Sequence, residues 1–339
     1  MRDTYLKGRF VPSISGYGIY YNGMVNAGTP QPWNISKNYG KQNMPPAYGE
    51  YFKKNKTVSY LIMKDDSICY EGSFPGGTDT SHTNSWSMAK SIVSLLVGVA
   101  IKEGKIKSVD EKVNDFIPSY SKGLDSLLTI KDLLSMSSGI EFGENYGSPF
   151  GYAAKALYGD NLLWLTNKYH CKEKPGSKFY YQSGNTVLLA EIVTKATGET
   201  LSHYASEKLW KPIGAEKPAY WSLDHKGGIE KGFCCFYSGS KDFARIGKLM
   251  LDSGKWNGKQ VVPKEYVLAA TTGKAVPYYG YQWWIGQVGK HRVVYANGFS
   301  GQYIYIIPDE NMVVVRLGKK VGDDDLTTYV GMAILMYGK

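Results

Sequence analysis

The run Ser91-Ile92-Val93-Ser94-Leu95-Leu96-Val97-Gly98-Val99-Ala100-Ile101 is apolar almost all the way round a helix. A helix of that kind is normally buried, so this chain must build a large core around it. The tetrapeptide that opens it, Ser87-Met88-Ala89-Lys90, sets a hydroxyl and an amine three positions apart on one helical face. Burial disfavours an ammonium and lowers a lysine pKa. An amine made neutral in this way can take the proton of a serine, which is how a hydroxyl becomes a nucleophile.

Ser-x-x-Lys by itself carries little weight, because the chain also contains Ser119-Tyr120-Ser121-Lys122 and Ser238-Gly239-Ser240-Lys241. Ser119 follows Pro118 and precedes Gly123, which reads as a loop. Ser240 reads as the N-cap of the helix through Asp242-Phe243-Ala244-Arg245. Only Ser87 opens a long apolar helix. The plain alternative for Ser87 is also an N-cap, with Lys90 reaching to solvent.

Two later segments change that balance: Phe179-Tyr180-Tyr181-Gln182-Ser183-Gly184-Asn185, ahead of a helical run, and Tyr295-Ala296-Asn297-Gly298-Phe299-Ser300-Gly301-Gln302, between two β-rich runs. The order is nucleophile, then Tyr-x-Ser, then a Gly-rich strand. It resembles the serine β-lactamase and penicillin-binding-protein superfamily, and most of all its class C-related esterases and amide hydrolases, including the 6-aminohexanoate-dimer hydrolase group. Thr129-Ile130-Lys131-Asp132-Leu133-Leu134, the Asp242–Leu251 helix with Gly254-Lys255-Trp256-Asn257-Gly258, and Tyr281-Gln282-Trp283-Trp284 extend the resemblance over nearly the whole chain after residue 45.

The resemblance implies Ser87 as nucleophile, Lys90 as general base or source of the local field, and Tyr181 as the group that protonates the leaving group. A phenol needs its pKa of about 10 depressed for such a relay, and a Lys90 ammonium is the expected cause. Ser183 stands where relatives often carry asparagine and is expected to bond Lys90 or the substrate. Asn185 has the plainer reading of a helix cap. The backbone N–H groups of Ser87 and Phe299 are the expected oxyanion donors, with Asn297 and Gly298 beside the substrate. Trp86 and Tyr146 are candidates to shape the pocket. Ala296-Asn297-Gly298 replaces the Lys-Thr-Gly of true β-lactamases, so the cation that holds a substrate carboxylate is missing. The expected activity is hydrolysis of carboxylic esters or small amides through an acyl-enzyme. A β-lactamase or D-aminopeptidase/carboxypeptidase, and a non-turnover penicillin-binding or sensor protein, are the alternatives.

Other chemistries lack their motifs. There is no Gly-x-Ser-x-Gly elbow, no His-Glu-x-x-His and no phosphate loop ending in Gly-Lys-Ser/Thr. The expectation is therefore no cofactor and no metal. The net charge of +10 comes from scattered lysines rather than a basic run, which argues against a nucleic-acid partner. Cys69, Cys171, Cys234 and Cys235 have no metal spacing, and Cys69 reads as a small buried hydrophobe, so the fold is not expected to depend on disulfides. No stretch reaches the ~20 apolar residues of a membrane span. No signal peptide shows at Met1-Arg2-Asp3-Thr4. The resemblance implies an extracytoplasmic (periplasmic) enzyme with its leader trimmed, and a cytoplasmic site stays open.

Residues 1–45, rich in Gly, Pro, Asn and Tyr, read as an irregular extension. Residues 46–339 read as one α/β (α+β) hydrolase domain. Its 46–108 and 252–339 segments form an antiparallel sheet from both chain ends, flanked by helices, and 109–251 form a mostly helical part. Strands are expected at 58–63, 67–71, 279–285, 292–296, 302–307 and 312–317.

Overall fold

Alternation with apolar residues on both faces determines the main sheet. In Thr57–Lys64, Leu61 and Met63 enter one hydrophobic cluster while Tyr60 and Ile62 enter another. A strand buried on both faces must be covered on both. The structure, a computed structural model, describes residues 14–75, 82–145, 148 and 150–338. Its strands are β1 (Asn22–Val25), β2 (Asn34–Ile35), β3 (Thr57–Lys64), β4 (Ser67–Ser73), β5 (Thr83–Asn84), β6 (Ala219–Ser222), β7 (Phe236–Ser238), β8 (Lys255–Trp256), β9 (Lys259–Gln260), β10 (Trp284–Val288), β11 (His291–Gly298), β12 (Gln302–Ile307) and β13 (Met312–Gly318). The main sheet runs β10-β11-β12-β13-β3-β4-β2, antiparallel except where β2 pairs with β4. Both chain ends build it, as their strand patterns imply.

Helices Pro46–Lys54 and Asp325–Tyr337 cover one face through Phe52, Tyr329, Val330 and Met332. Helix Ser240–Leu251 lies on the other, against β12 and β13. Gly247 allows that approach, since a Cβ there would stand 2.4 Å from Val313 Cγ1. Helix Met88–Lys102 is buried from Met88 through Ala100 and packs against helix Ser183–Thr197 at the centre of the molecule. Truncating a residue such as Leu96 there costs about 2–5 kcal/mol. No helix of the described residues is long and apolar enough to cross a membrane.

Two features depart from the sequence expectations, and a third settles a point the sequence leaves open. First, the segment read as irregular contributes β1, and the segment read as helical contributes β6 and β7. Together with β5 they form a second sheet, β1-β6-β7-β5. Strands this short have no periodicity to read, and their partners are remote in the chain. Second, the strand expected from Tyr279 begins only at Trp284. Gln282 has φ +63° and turns inward. Its Nε2 donates to the carbonyls of Leu133 and Leu134 (both 3.0 Å), and its Oε1 accepts from Thr186 Oγ1 at 2.8 Å. Third, Cys234 and Cys235 form a disulfide between neighbours, while Cys69 and Cys171 remain free.

Candidate active site

The second sheet positions the start of helix Met88–Lys102. β5 pairs with β7, and the N–H of Ser85 donates to the carbonyl of Phe236 at 2.8 Å. Trp86 follows with φ +48°, a conformation rare for a bulky residue, and Asn84 Oδ1 fixes it by accepting from its N–H at 2.8 Å. Ser87 then takes the N-cap position, but its side chain makes no capping bond. The plain reading of Ser87 as a structural cap therefore has no support in the geometry.

Lys90, one turn further, is 1% exposed. Its Nζ donates to Ser87 Oγ at 2.9 Å and to the carbonyl of Phe233 at 2.9 Å. Burial pushes its pKa from 10.5 down to about 8, against the opposing pull of the Glu144 carboxylate. Solvent snorkelling is excluded by that burial.

Tyr181 lies just ahead of helix Ser183–Thr197. Its ring centroid is 5.2 Å from Lys90 Nζ, and Ser87 is the side chain whose polarity acts on its hydroxyl. The ring leans on Trp284 (centroids 5.4 Å apart) and meets Tyr279 edge-on (6.1 Å). These contacts orient the phenol. Its pKa is not depressed as expected but pushed up, first by burial, with Glu144 adding to the rise and the Ser87 side chain opposing it. The physical reason is reciprocal. The burial that enfeebles the Lys90 ammonium also disfavours a phenolate, so Tyr181 keeps its proton.

Ser183 is bonded to a carboxylate. Its N–H and O–H both donate to the Glu144 carboxylate, at 2.7 and 2.5 Å. Gln182 aims Glu144 there. Gln182 Oε1 accepts from the N–H groups of Phe142 (2.6 Å) and Gly143 (3.0 Å), and its Nε2 donates to the carbonyl of Ile140 at 2.5 Å. Asn185 is no cap. It is buried inside the helix with its Nδ2 on Met136 Sδ at 3.3 Å.

At the end of β11, Gly298 passes so close to the segment ahead of Ser87 that a Cβ would sit 2.1 Å from the carbonyl oxygen of Ser85. Asn297 is half-buried beside it. Phe299 is exposed and its ring meets Trp86 edge-on, centroids 5.5 Å apart. Arg316 holds the following turn from beneath by donating to the carbonyls of Ser300 (3.0 Å) and Gly301 (2.5 Å). The structure thus gathers Ser87, Lys90 and Tyr181, with Trp86, Gly298 and Phe299 at the rim. Tyr146 lies outside the described residues.

Glu144, Gln182, Phe233 and Arg316 were not legible as site residues. Each acts through a loop or a backbone carbonyl, and no local pattern marks them. Among the described residues no cluster of histidine, cysteine and carboxylate side chains is arranged to hold a metal.

Known proteins resemble the chain in sequence and in fold. The beta-lactamase family model matches residues 52–228, just over half of the chain, so the chain belongs to the beta-lactamase family of serine hydrolases. A 6-aminohexanoate-dimer hydrolase of Paenarthrobacter ureafaciens is 26% identical over 302 residues, covering 80% of this chain and 75% of that one. A Bacillus anthracis protein provisionally named as a 6-aminohexanoate-dimer hydrolase shares the fold with a TM-score of 0.84 at 22% identity, covering 99% of this chain and 94% of its own. A family VIII carboxylesterase superposes with a TM-score of 0.68 at 15% identity, covering 89% and 98%.

Proposed function

We propose that this enzyme hydrolyses carboxylic esters or small amides through an acyl-enzyme on Ser87. The observation that carries the reading is the 2.9 Å approach of a buried Lys90 amine to Ser87 Oγ. With its pKa brought to about 8, a useful fraction of Lys90 is neutral near physiological pH. Ser87 Oγ attacks the substrate carbonyl carbon while its proton passes to Lys90. The N–H groups of Ser87 and Phe299 receive the oxyanion. Tyr181, still protonated, gives its hydroxyl proton to the departing alkoxide or amine and is reprotonated from Lys90 across the Ser87 site. Water then repeats the sequence in reverse and frees the acid.

The ester and amide classes fit the named activities of the relatives, a carboxylesterase and a hydrolase of a 6-aminohexanoate dimer. Ala296-Asn297-Gly298 offers no cation at the strand edge, which disfavours substrates held by a carboxylate, penicillins and D-alanyl peptides among them. A disulfide between Cys234 and Cys235 fits an oxidising compartment and so an extracytoplasmic enzyme.

The test is a panel of p-nitrophenyl esters, a 6-aminohexanoate dimer, nitrocefin and a D-alanyl dipeptide, alongside a fluorophosphonate probe. Ester or amide turnover with labelling that disappears in Ser87→Ala is the expected result. Labelling without turnover of any substrate would assign a sensor. A folded wild type that neither labels nor turns over would remove the enzyme reading altogether.

A further inference from the structure

The Lys231–Phe236 turn touches both halves of the proton-transfer pair. Its Phe233 carbonyl accepts from Lys90 Nζ at 2.9 Å, and its Phe236 carbonyl accepts from the N–H of Ser85, two residues ahead of Ser87, at 2.8 Å. Between those two carbonyls stand Cys234 and Cys235, joined to each other and 3% and 2% exposed. Cys235 has φ +65°, a backbone conformation that residues with a side chain adopt rarely. Bonding the two sulfurs closes a small ring through the intervening peptide, which restricts the rotations that would let Cys235 return to negative φ. The rest of the turn is anchored on its far side. Trp221 Nε1 donates to the carbonyls of Lys231 (3.1 Å) and Cys234 (3.0 Å), and the N–H of Ser222 donates to the carbonyl of Cys235 at 3.0 Å. Gly232 lies against helix Ser183–Thr197, where a Cβ would stand 2.7 Å from Ala190 Cβ. With the far side fixed, and Phe236 held in β7 by its pairing with Trp221, a relaxation at Cys235 is directed toward Phe233.

We infer that the Cys234–Cys235 disulfide is a positioning element of the active site, and that its reduction withdraws the Phe233 carbonyl from Lys90 and lowers turnover. The inference rests on the hydrolase reading above. The reduction is a two-electron exchange. A dithiol delivers two electrons and two protons to the S–S bond, leaving two cysteine thiols, and closes to its own disulfide. Cys69 and Cys171 are already free, so the neighbouring pair is the one target of the reagent.

The experiment compares p-nitrophenyl butyrate hydrolysis by the enzyme as purified, by the same enzyme after dithiothreitol, and by the double variant Cys234→Ala, Cys235→Ala. Alkylation and intact mass count thiols in each, with two expected before reduction and four after. Loss of alignment at a proton-transfer pair is expected to lower kcat about ten- to a hundredfold with KM little changed. A merely structural bond would leave the pH profile in place. Here the acid limb of kcat/KM moves to lower pH, because a Lys90 ammonium that has lost the Phe233 carbonyl is less stable. Glu144 and Tyr181, the other polar groups facing Lys90 from neighbouring elements, are untouched by the reagent. Reoxidation restores both readouts.

Equal kcat and an unmoved limb in the reduced enzyme or the folded double variant would overturn the inference while leaving the hydrolase reading intact. So would four thiols in enzyme purified without reductant. If the double variant does not fold, reduction of the folded wild type decides, and if the buried bond resists the dithiol, the variant decides. An oxidised enzyme that neither labels nor turns over ester takes the hydrolase reading down first, and this one with it.

Discussion

Lys90 and Lys231 are 1% and 2% exposed, and burial pushes the pKa of each from 10.5 down to about 8. Their neighbours differ. Lys90 Nζ meets a serine hydroxyl at 2.9 Å, with a tyrosine ring 5.2 Å away. Lys231 Nζ donates to the carbonyl of Leu157 at 2.6 Å, near the C-terminus of helix Tyr152–Tyr158, and lies 5.3 Å from the ring of Tyr20. A lysine there satisfies a helix-end carbonyl and favours the helix dipole. The comparison teaches that a perturbed amine is not by itself a catalytic one. Desolvation makes a lysine able to give up its proton, and only an adjacent hydroxyl with a second donor gives that ability a reaction.

Replacing each amine by a shape-matched apolar side chain tests this most severely. Lys90→Met is expected to lower kcat about 10³- to 10⁴-fold on p-nitrophenyl esters. Lys231→Met, which leaves the backbone of its turn in place and removes only the contact with the Leu157 carbonyl, is expected to lower kcat about tenfold at most. Equal inactivation of two folded variants would show that burial, not adjacency, is what matters, and the assignment of Lys90 would lose its basis.

Tyr181→Phe sharpens the same contrast from the acid side. In the proposed mechanism Tyr181, whose phenol burial keeps protonated, is the donor to the leaving group. An alkylamine needs that proton and nitrophenolate hardly does. A loss of about 10²- to 10³-fold on amides is expected, and a markedly smaller loss on nitrophenyl esters. Equal losses on both would assign Tyr181 to activating Ser87 instead.

The two lysines should converge when stability is measured. Each has a folded pKa of about 8 below an unfolded value near 10.5. The unfolded chain therefore binds more protons between those values, and wild-type stability rises with pH across that window. The cost of each buried ammonium is present in full below pH 8 and gone above about 10.5, on the order of 3 kcal/mol. Both methionine variants are expected to be more stable than wild type at pH 7 by about 1–3 kcal/mol, after losing hydrogen bonds. Calorimetry at pH 7 and pH 10 checks it. A gain that does not shrink toward pH 10 would mean that packing rather than charge is its source.

Legibility in the sequence follows the range of the interactions. The Ser87–Lys90 pair lies within one turn of an apolar helix, so period and spacing disclose it. The strands of the main sheet disclose themselves as short apolar runs, as Tyr60 to Met63 do. Tyr181 needed the family order to stand out among 28 tyrosines. What stayed hidden is non-local. β6 and β7 are too short for a pattern, and the phenol's raised pKa depends on surroundings that no local window contains. Gln182 reads as a residue beside a motif until Phe142 and Gly143 are folded onto its amide.

Glu144 offers the smallest effect and the finest distinction between the two lysines. Its carboxylate stabilises the Lys90 ammonium and holds Ser183 through two hydrogen bonds, whereas the carboxylate opposing desolvation at Lys231 is Asp224. Glu144→Gln removes the charge and keeps an acceptor for Ser183. The Lys90 ammonium is then less favoured, so more of the amine is neutral at a given pH. Under the proposed mechanism the acid limb of kcat/KM lies near pH 8 in the wild type, and it is expected to move to lower pH. At pH 7 this raises kcat/KM about threefold relative to the high-pH plateau of the same variant. Asp224→Asn should leave the limb where it is, since its partner takes no part in the reaction. A limb that moves upward in Glu144→Gln would show that the carboxylate acts on Lys90 only through Ser183, and a limb that moves in Asp224→Asn would dissolve the distinction between the two amines.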